Sequence, residues 1–325
     1  MKLIDLHCDT LWKLLQCEKG QEKDTDLKEN NFCISIPQMQ KAGTLVQFFA
    51  CFTYLPSAPG GYEECYEDVL RMIKRLCREC GRYPEELALA CSYEDIRKNE
   101  EDGKVSAVLT VEEGGIVNGK MERLTKLYQE GVRLLTPIWN YENCFGYPNS
   151  HNERIMSLGL KPFGKEALAY AGELGMIVDV SHASDGAFWD IMDCVNGPVV
   201  ASHSNCRTVC SHPRNLTDAM IRRLSEAGGV AGLNFYGPFL SGTKVSGIDA
   251  MTAHIRHMLD AGGSEFPAIG TDFDGFDGME HEDIPKAGDM ERLWDGLKLA
   301  GIRESQLDGI FRKNAERVLK RAARS

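Results

Sequence analysis

The chain has 325 residues, of which 43% are hydrophobic and 26% are charged. This length and composition allow a large buried core, which excludes a short peptide module and a disordered tail. The 37 basic and 48 acidic residues give a net charge of −11, and a negatively charged protein repels polyphosphates and anionic lipid surfaces. We therefore expect neither nucleic acid nor a membrane as a partner.

The 12 cysteines could be disulfides, metal ligands or free thiols. Only Cys77 and Cys80 form a Cys-x-x-Cys unit, whereas a zinc ribbon needs two such units. At the N-terminus, Asp5 and Asp9 interrupt the apolar run that a secretory signal requires, and no later stretch approaches the roughly 18 apolar residues of a membrane span. We expect mostly free thiols in a cytoplasmic protein.

Short apolar, β-branched or aromatic runs between turn residues predict eight strands. They are Leu3–Asp9, Thr44–Phe52, Val105–Glu112, Val132–Trp139, Met176–His182, Pro198–His203, Gly229–Phe235 and Phe266–Asp272. Amphipathic patterns between and after these runs predict helices. The helices are Tyr62–Cys80, Met121–Glu130, Gly164–Leu174, Asp185–Val195, Asp218–Ala227, Ile248–Ala261, Asp289–Ala300 and Arg303–Ala323.

Strands that alternate with helices indicate parallel pairing, and eight such units predict a closed (β/α)8 TIM-type barrel. A doubly wound open sheet is the competing architecture. Because no linker or change of composition divides the chain, we expect one domain over residues 1–325. Residues 20–31, 56–61 and 140–161 are predicted to be long loops that follow strands.

Residues that can bind a metal stand where five of the predicted strands end. They are His7, Asp9, Glu112, His182, His203 and Asp272. The period of two in a strand puts His7 and Asp9 on the same face. Barrel enzymes build their active sites from the carboxyl ends of several strands. The pattern therefore predicts a single site at that end of the barrel.

Imidazoles and carboxylates without a well-placed thiolate favour Zn²⁺, with Mn²⁺, Co²⁺ and Fe²⁺ as weaker alternatives. One tetrahedral zinc cannot use so many ligands, which favours two ions that share a carboxylate. His254 and His257, by contrast, are expected on the flanks of a helix, in water.

Seven segments resemble the membrane dipeptidase, or renal dipeptidase, family of zinc peptidases, in order and over essentially the whole chain. The segments are Ile4–Thr10, Thr110–Gly115, Val178–Ser184, Ala201–Asn205, His212–Asn215, Asn234–Tyr236 and Gly270–Gly275. The resemblance implies a (β/α)8 barrel of the metal-dependent hydrolase superfamily that cleaves dipeptides. It also implies tolerance of D-residues on the C-terminal side of the cleaved bond, and a homodimer.

The resemblance further assigns roles to residues of this chain. The implied ligands of two zinc ions are His7, Asp9, Glu112, His182 and His203, with Glu112 as the bridge. Arg214 matches the arginine that holds the free carboxylate of the substrate, and Asp272 matches the acid that transfers the proton. Asp274 is the nearby alternative to Asp272.

The chain departs from the family pattern in two places. Glu112 and Glu113 stand where one glutamate is usual, and we choose Glu112 from its distance to the next strand. Trp139 takes the position of a histidine that is thought to steady the oxyanion, and we hypothesise that His151 replaces it.

Two other functions stay open. A cyclic-amide hydrolase or a deaminase on the same barrel typically begins with His-x-His and often has a carboxylated lysine on the fourth strand. This chain has His-x-Asp and no lysine in Val132–Trp139. A non-catalytic barrel would show degenerate ligands, and none is visible.

Overall fold

A barrel of eight parallel strands forms the centre of the protein, in a computed structural model that describes residues 1–20 and 25–322. The strands are β1 (Leu3–Cys8), β2 (Thr44–Phe52), β3 (Val105–Glu112), β4 (Val132–Thr136), β5 (Ile177–Asp179), β6 (Val199–Val200), β7 (Ala231–Leu233) and β8 (Pro267–Ile269). Around the barrel they pair in the order β6-β5-β4-β3-β2-β1-β8-β7. A parallel bridge between Ala201 and Ala231 brings the two ends of this order together, so the barrel is nearly closed. The predicted fold class is confirmed, and the open-sheet alternative is excluded.

Three short strands were not predicted. Leu87–Leu89 pairs with the start of β3, and Val245–Ser246 pairs with His281–Glu282 outside the barrel. Each has only two or three residues, which is too short to show an alternating pattern.

Helices surround the barrel and connect its strands. The α-helices are Thr10–Lys19, Ile36–Ala42, Gly61–Arg82, Tyr93–Glu101, Met121–Gln129, Glu153–Met156, Pro162–Glu173, Asp185–Cys194, Asp218–Glu226, Gly237–Leu240, Ile248–Gly262, Glu291–Leu299, Glu304–Asp308 and Asn314–Ala322. Short 3₁₀ turns occupy Leu55–Ser57, Gly114–Val117 and Ala287–Asp289. Within residues 1–20 and 25–322, we find no helix with the length and apolar character needed to cross a bilayer.

Most predicted helices are confirmed, whereas several others, among them Thr10–Lys19 and Tyr93–Glu101, were not predicted. Tyr93–Glu101, for example, buries only Ile96 and Asn99, so its sequence lacks a continuous apolar face. It begins instead at Ser92, whose hydroxyl accepts a hydrogen bond from the Asp95 amide. The predicted loops at residues 56–61 and 140–161 contain a 3₁₀ turn and a short helix, and positions 21–24 of the first predicted loop lie outside the described residues.

The predicted helix Arg303–Ala323 is not continuous. A π-helical segment at Gly309–Lys313 separates Glu304–Asp308 from Asn314–Ala322. After this segment, the Asn314 side chain donates hydrogen bonds to the carbonyl oxygens of Ser264 and Pro267, next to β8. Ala323 lies outside the described residues.

The expectation that His254 lies in water is wrong. His254 is fully buried: its Nδ1 accepts from the Cys206 amide at 3.1 Å, and its Nε2 lies 2.9 Å from the Leu240 carbonyl oxygen. It shares the buried stripe of the helix Ile248–Gly262 with Met251, Ile255 and Met258, at the spacing of a single helix face. His257 is half-buried and lies 2.7 Å from the Asp218 carboxylate.

Side chains inside the barrel form an apolar core below the carboxyl end. This cluster includes Ile4, Val46, Val108, Leu134, Ile177, Val200 and Ala268, with Val318 and Leu319 from the last helix. Val108 and Glu112 lie four residues apart on β3, so both point into the barrel. The polar residues at the strand ends therefore rest on a packed apolar base.

Six of the eight predicted strands end one to three residues earlier than expected, and the chain turns sharply after two of them. His182 and Asp272 have φ angles of 70° and 62°, in the left-handed region that non-glycine residues rarely adopt. They consequently lie in loops immediately after β5 and β8. Positive φ values in residues other than glycine mark strained backbone, which is concentrated at functional sites.

Candidate metal centre

Six polar side chains converge at the carboxyl end of the barrel. They are His7, Asp9, Glu112, His182, His203 and Asp272. They form three overlapping groups of three residues, and the nitrogen and oxygen atoms of each group lie within 4.8 Å of one another. The structure thus brings together all six residues that the strand ends pointed to.

The carboxylate of Glu112 lies between two groups of side chains. Its Oε1 is 3.0 Å from His182 Nε2 and 3.4 Å from His203 Nε2. Its Oε2 is 3.2 Å from His7 Nε2, which in turn lies 3.4 Å from Asp9 Oδ2. Each carboxylate oxygen therefore faces a different set of ligand atoms.

Glu113 points away from this cluster. Its Oε1 accepts hydrogen bonds of 2.7 Å from both the Gly115 amide and Asn143 Nδ2, and its Oε2 accepts one of 3.2 Å from the Trp139 amide. Burial raises the pKa of Glu113 to about 7, although these donors oppose the rise. Of the two adjacent glutamates, only Glu112 contributes to the cluster, while Glu113 joins the loops after β3 and β4.

Hydrogen bonds determine which nitrogen of His182 and of His203 is bare. His182 Nδ1 lies 2.8 Å from Asn140 Oδ1, an acceptor, and His203 Nδ1 lies 2.7 Å from Ser202 Oγ. Ser202 Oγ donates to Asp179 Oδ2 at 2.6 Å, so it must accept from His203. Both rings then carry their proton on Nδ1, and their two Nε2 lone pairs face each other at 2.9 Å.

The sequence did not single out Asp179, Ser202 or Asn140 as site residues. Asp179 and Ser202 are fully buried, and each stands within three residues of a predicted ligand. Asp179 could have been noticed as a carboxylate on an apolar strand, since a buried carboxylate needs several hydrogen-bond donors nearby. Which histidine each of them orients depends on contacts between distant positions: Ser202 and Asp179 are 23 residues apart, and Asn140 and His182 are 42 residues apart.

Several buried atoms of the cluster lack a hydrogen-bond partner. Within the described part of the chain these include both ring nitrogens of His7, Asp9 Oδ1 and Glu112 Oε1. Buried polar atoms without a partner are costly, and a cation at their centre would satisfy them. The donor set of imidazoles and carboxylates is one that Zn²⁺ accepts. The residues present therefore fit a metal centre.

The ionisation of His182, His203 and Glu112 suits metal binding, whereas the carboxylates of Glu112 and Asp9 outweigh burial and raise the pKa of His7. Burial lowers the pKa of His182 to about 4, and burial together with the charge of His7 lowers that of His203, so both imidazoles stay neutral. Burial opposes ionisation of Glu112, but the positive charge of His7 holds the pKa of Glu112 well below the usual range. Neutral imidazole and ionised carboxylate are the forms that bind metals. Burial also raises the pKa of Asp272 to about 7.

Arg214 lies beside the cluster with unused hydrogen-bonding capacity. Only 5% of the residue is exposed, and its Nη1 and Nη2 donate to Ser204 Oγ at 3.0 Å and to the His203 carbonyl oxygen at 3.2 Å. Its Nε has no partner, and no acidic side chain among the described residues forms an ion pair with it. A buried guanidinium without a carboxylate is prepared to bind one.

Asp272 and Asp274 have different surroundings. Asn234 Nδ2 donates to Asp272 Oδ2 at 2.9 Å, which leaves Oδ1 directed at the cluster, 3.8 Å from His7 Nε2. Asp274 instead accepts from Thr10 Oγ1 at 2.6 Å and from the Cys33 amide at 2.8 Å, outside the cluster. The structure thus places Asp272, and not Asp274, beside the cluster.

A cavity of about 370 Å³ opens above the cluster. Seven of its lining residues are aromatic: Trp12, Phe52, Tyr54, Trp139, Tyr236, Phe239 and Phe276. His151 is not among the described lining residues; it is exposed and packs against His212 with ring centroids 5.4 Å apart. The position of His151 therefore gives no support to an oxyanion role. Trp139, which stands where the family has its histidine, lines the cavity.

A (β/α)8 barrel with buried imidazoles and carboxylates at its carboxyl end belongs to the class of metal-dependent barrel hydrolases. Comparison with known proteins agrees with this class. The sequence profile of the family described as membrane dipeptidase (peptidase family M19) matches residues 1–325. The chain belongs to the membrane dipeptidase family and is a metallodipeptidase of that family.

Individual relatives cover most of the chain. A Klebsiella pneumoniae protein described as an uncharacterized protein in the pqqA 5′ region is 32% identical over 275 residues, which are 81% of this chain and 98% of that protein. The solved structure of dipeptidase AC, a metallopeptidase of family M19, superposes with a TM-score of 0.91 at 24% identity and covers 100% of this chain and 99% of its own. A Rhodobacter sphaeroides metallopeptidase liganded with a phosphinate mimic of L-Ala-D-Ala gives 0.89 at 23% identity, with 99% of each chain covered.

Proposed function

We propose that this protein is a binuclear zinc dipeptidase whose two ions are bridged by Glu112. The observation that supports the proposal most is the position of that carboxylate: Oε1 faces His182 and His203, while Oε2 faces His7, which lies beside Asp9. A carboxylate whose two oxygens face two different groups of ligands can bind one ion through each oxygen. When bound, the two zinc ions would polarise the substrate carbonyl and lower the pKa of a water molecule.

The protein's own residues position the substrate and move the proton. Arg214 binds the free carboxylate of the dipeptide, which sets the distance between the chain end and the cleaved bond. Asp272, held by Asn234, accepts a proton at Oδ1 from the attacking water and returns it to the nitrogen of the leaving amine. The hydroxyl of the water joins the carbonyl carbon as the C–N bond breaks, so the products are two amino acids.

We also propose that a D-residue is accepted on the C-terminal side of the cleaved bond. The Rhodobacter sphaeroides relative, which shares the fold, is liganded with a mimic of L-Ala-D-Ala, and this supports the proposal. The predictions of one domain over residues 1–325, a cytoplasmic location, a homodimer and a role for His151 remain predictions.

Metal removal tests the proposed function directly. After dialysis against a chelator we expect hydrolysis of Gly-Leu to fall to background, because the cluster then has no Lewis acid. Adding Zn²⁺ should restore the activity, with two ions per chain by elemental analysis at full recovery. Undiminished activity in the metal-free protein contradicts the proposal, and saturation at one ion per chain contradicts its binuclear form.

Replacing Ser202 by alanine should weaken zinc binding by about 10- to 100-fold, which is the usual cost of losing a group that orients a ligand. Without the hydroxyl, His203 Nδ1 loses its acceptor and the ring can rotate or change its tautomer. The measurement is a zinc titration against a competing chelator.

Thr136→Val is the matched control for Ser202→Ala. Thr136 Oγ1 donates to the same Asp179 Oδ2 at 2.7 Å but is not bonded to His203. We expect Thr136→Val to keep its zinc affinity within a few-fold of the parent. Equal losses in the two variants would show that Ser202 stabilises Asp179 and does not orient the histidine.

A further inference from the structure

The aromatic residues of the cavity lie on two sides of the cluster of six polar side chains. Phe52 ends β2, and Tyr54 and Trp139 follow β2 and β4. Phe239 follows β7, and Arg214, which follows β6, stacks on it with 5.3 Å from the guanidinium carbon to the ring centroid. In the strand order around the barrel, β2 to β4 lie across from β6 to β8. One aromatic wall therefore faces Arg214 across the cluster.

We call the wall formed by Phe52, Tyr54 and Trp139 the distal wall. Trp139 is its centre: its ring centroid lies 4.9 Å from that of Phe52, 5.8 Å from that of Tyr54 and 5.9 Å from that of His182. Trp139 is half-buried, and Tyr54 is 41% exposed at the rim. The wall thus begins at the cluster and extends outwards to solvent.

The backbone below Trp139 is held rigidly. Its amide donates to the fully buried Glu113, and the next residue, Asn140, accepts from His182. Behind the wall, Tyr141 packs against Trp139 with centroids 5.6 Å apart. A preformed apolar surface binds an apolar group without the cost of ordering itself.

The position of this wall determines which part of a dipeptide reaches it. With the carboxylate on Arg214 and the cleaved bond at the cluster, the C-terminal residue occupies the β6 to β8 side. The residue on the other side of the bond must then extend towards β2 to β4. This reasoning rests on the proposed function, since it uses Arg214 as the carboxylate anchor.

We infer that the distal wall is the subsite for the side chain of the N-terminal residue, and that the enzyme favours dipeptides with a large apolar or aromatic residue there. Trp139 is the residue that determines this preference. One additional methylene in an enclosed hydrophobic pocket is worth about 10-fold or more in specificity. Because the distal wall is partly exposed, we expect Leu-Ala to exceed Gly-Ala in kcat/KM by only about 10- to 100-fold in total. The phenyl ring of Phe-Ala makes additional contacts with the distal wall, so its kcat/KM should exceed that of Leu-Ala by a further several-fold.

The test compares kcat/KM for Gly-Ala, Leu-Ala and Phe-Ala in the zinc-loaded enzyme and in Trp139→Ala. We expect the ratio of Leu-Ala to Gly-Ala to fall to within a few-fold of one in the variant. Trp139→Leu, which keeps apolar bulk, should retain that ratio but lose the several-fold advantage of Phe-Ala, and it carries the test if Trp139→Ala does not fold. The control is Trp189→Ala, which removes a tryptophan that is 40% exposed on the helix Asp185–Cys194 and should leave all ratios unchanged.

The outcomes separate this inference from the proposed function. Cleavage of all three dipeptides at similar rates by the parent enzyme overturns the inference alone. Equal losses for all three substrates in Trp139→Ala also overturn it, because a purely structural role would lower every rate together. If the zinc-loaded parent cleaves none of the three dipeptides, the proposed function fails and the inference fails with it.

Discussion

Glu112→Gln is expected to lose nearly all activity, with kcat/KM lower by about 10³-fold or more, since losing even a group that only orients a ligand costs about 10- to 100-fold. An amide presents one NH₂ group where Glu112 has an oxygen, so either the His182 and His203 side or the His7 side loses its carboxylate oxygen. Elemental analysis should find fewer than two zinc ions per chain, and steady-state kinetics should show the loss mainly in kcat.

Glu113→Gln is the matched control, because it makes the same chemical change one residue away. Three N–H donors converge on the Glu113 carboxylate, from Gly115, Asn143 and Trp139. Whichever way the amide turns, its NH₂ group faces at least one of them. Leaving a buried donor unpaired should lower the free energy of unfolding by about 1–3 kcal/mol.

Glu112→Gln should therefore lose zinc and activity, whereas Glu113→Gln should lose stability. Glu113→Gln is expected to melt at a lower temperature yet keep both zinc ions. Should Glu113→Gln lose the metal while Glu112→Gln retains it, the assignment of the bridge to Glu112 would be wrong.

Arg214→Met is expected to lower kcat/KM for a dipeptide with a free carboxylate by about 10²- to 10³-fold, because truncating one partner of a buried charge pair costs about 2–5 kcal/mol. The buried guanidinium of Arg214 has no acidic partner among the described residues, so it is free to pair with the substrate carboxylate. Arg214→Met removes that ion pair. The measurement compares Leu-Ala with Leu-Ala amide. Leu-Ala amide has no carboxylate for Arg214 to bind, so we expect its slow hydrolysis to be similar in the parent and in Arg214→Met. The ratio of kcat/KM for Leu-Ala to kcat/KM for Leu-Ala amide should therefore fall close to one in the variant.

Arg207→Met provides the control for Arg214→Met. Arg207 lies in the same loop after β6, but its guanidinium already forms two hydrogen bonds of 2.8 Å with the carboxylate of Asp185. Removing it should leave the preference for the free carboxylate intact. An equal loss of discrimination in both variants would mean that the loop, and not the charge of Arg214, selects the substrate.

Local periodicity was enough to predict the barrel and the convergence of six side chains. Alternating apolar residues and amphipathic stripes depend on backbone geometry alone, so they can be read along the chain without knowledge of distant contacts. Because parallel strands in a barrel all end on the same face, His7, Glu112 and His203 had to meet once the strands were assigned. The resemblance to a family supplied Arg214, which no periodic pattern marks.

The sequence by itself determined the fold class and the polar residues at the strand ends. The tertiary structure decided what depends on neighbours far apart in the chain: that Glu112 and not Glu113 faces the cluster, and that Ser202 and Asn140 hold two histidines in the tautomer that leaves Nε2 bare. It also showed that His254 is buried. The reason is physical: the direction of a side chain within its strand or helix follows from local geometry, whereas its hydrogen-bond partner, and hence its protonation and burial, follows from packing between elements.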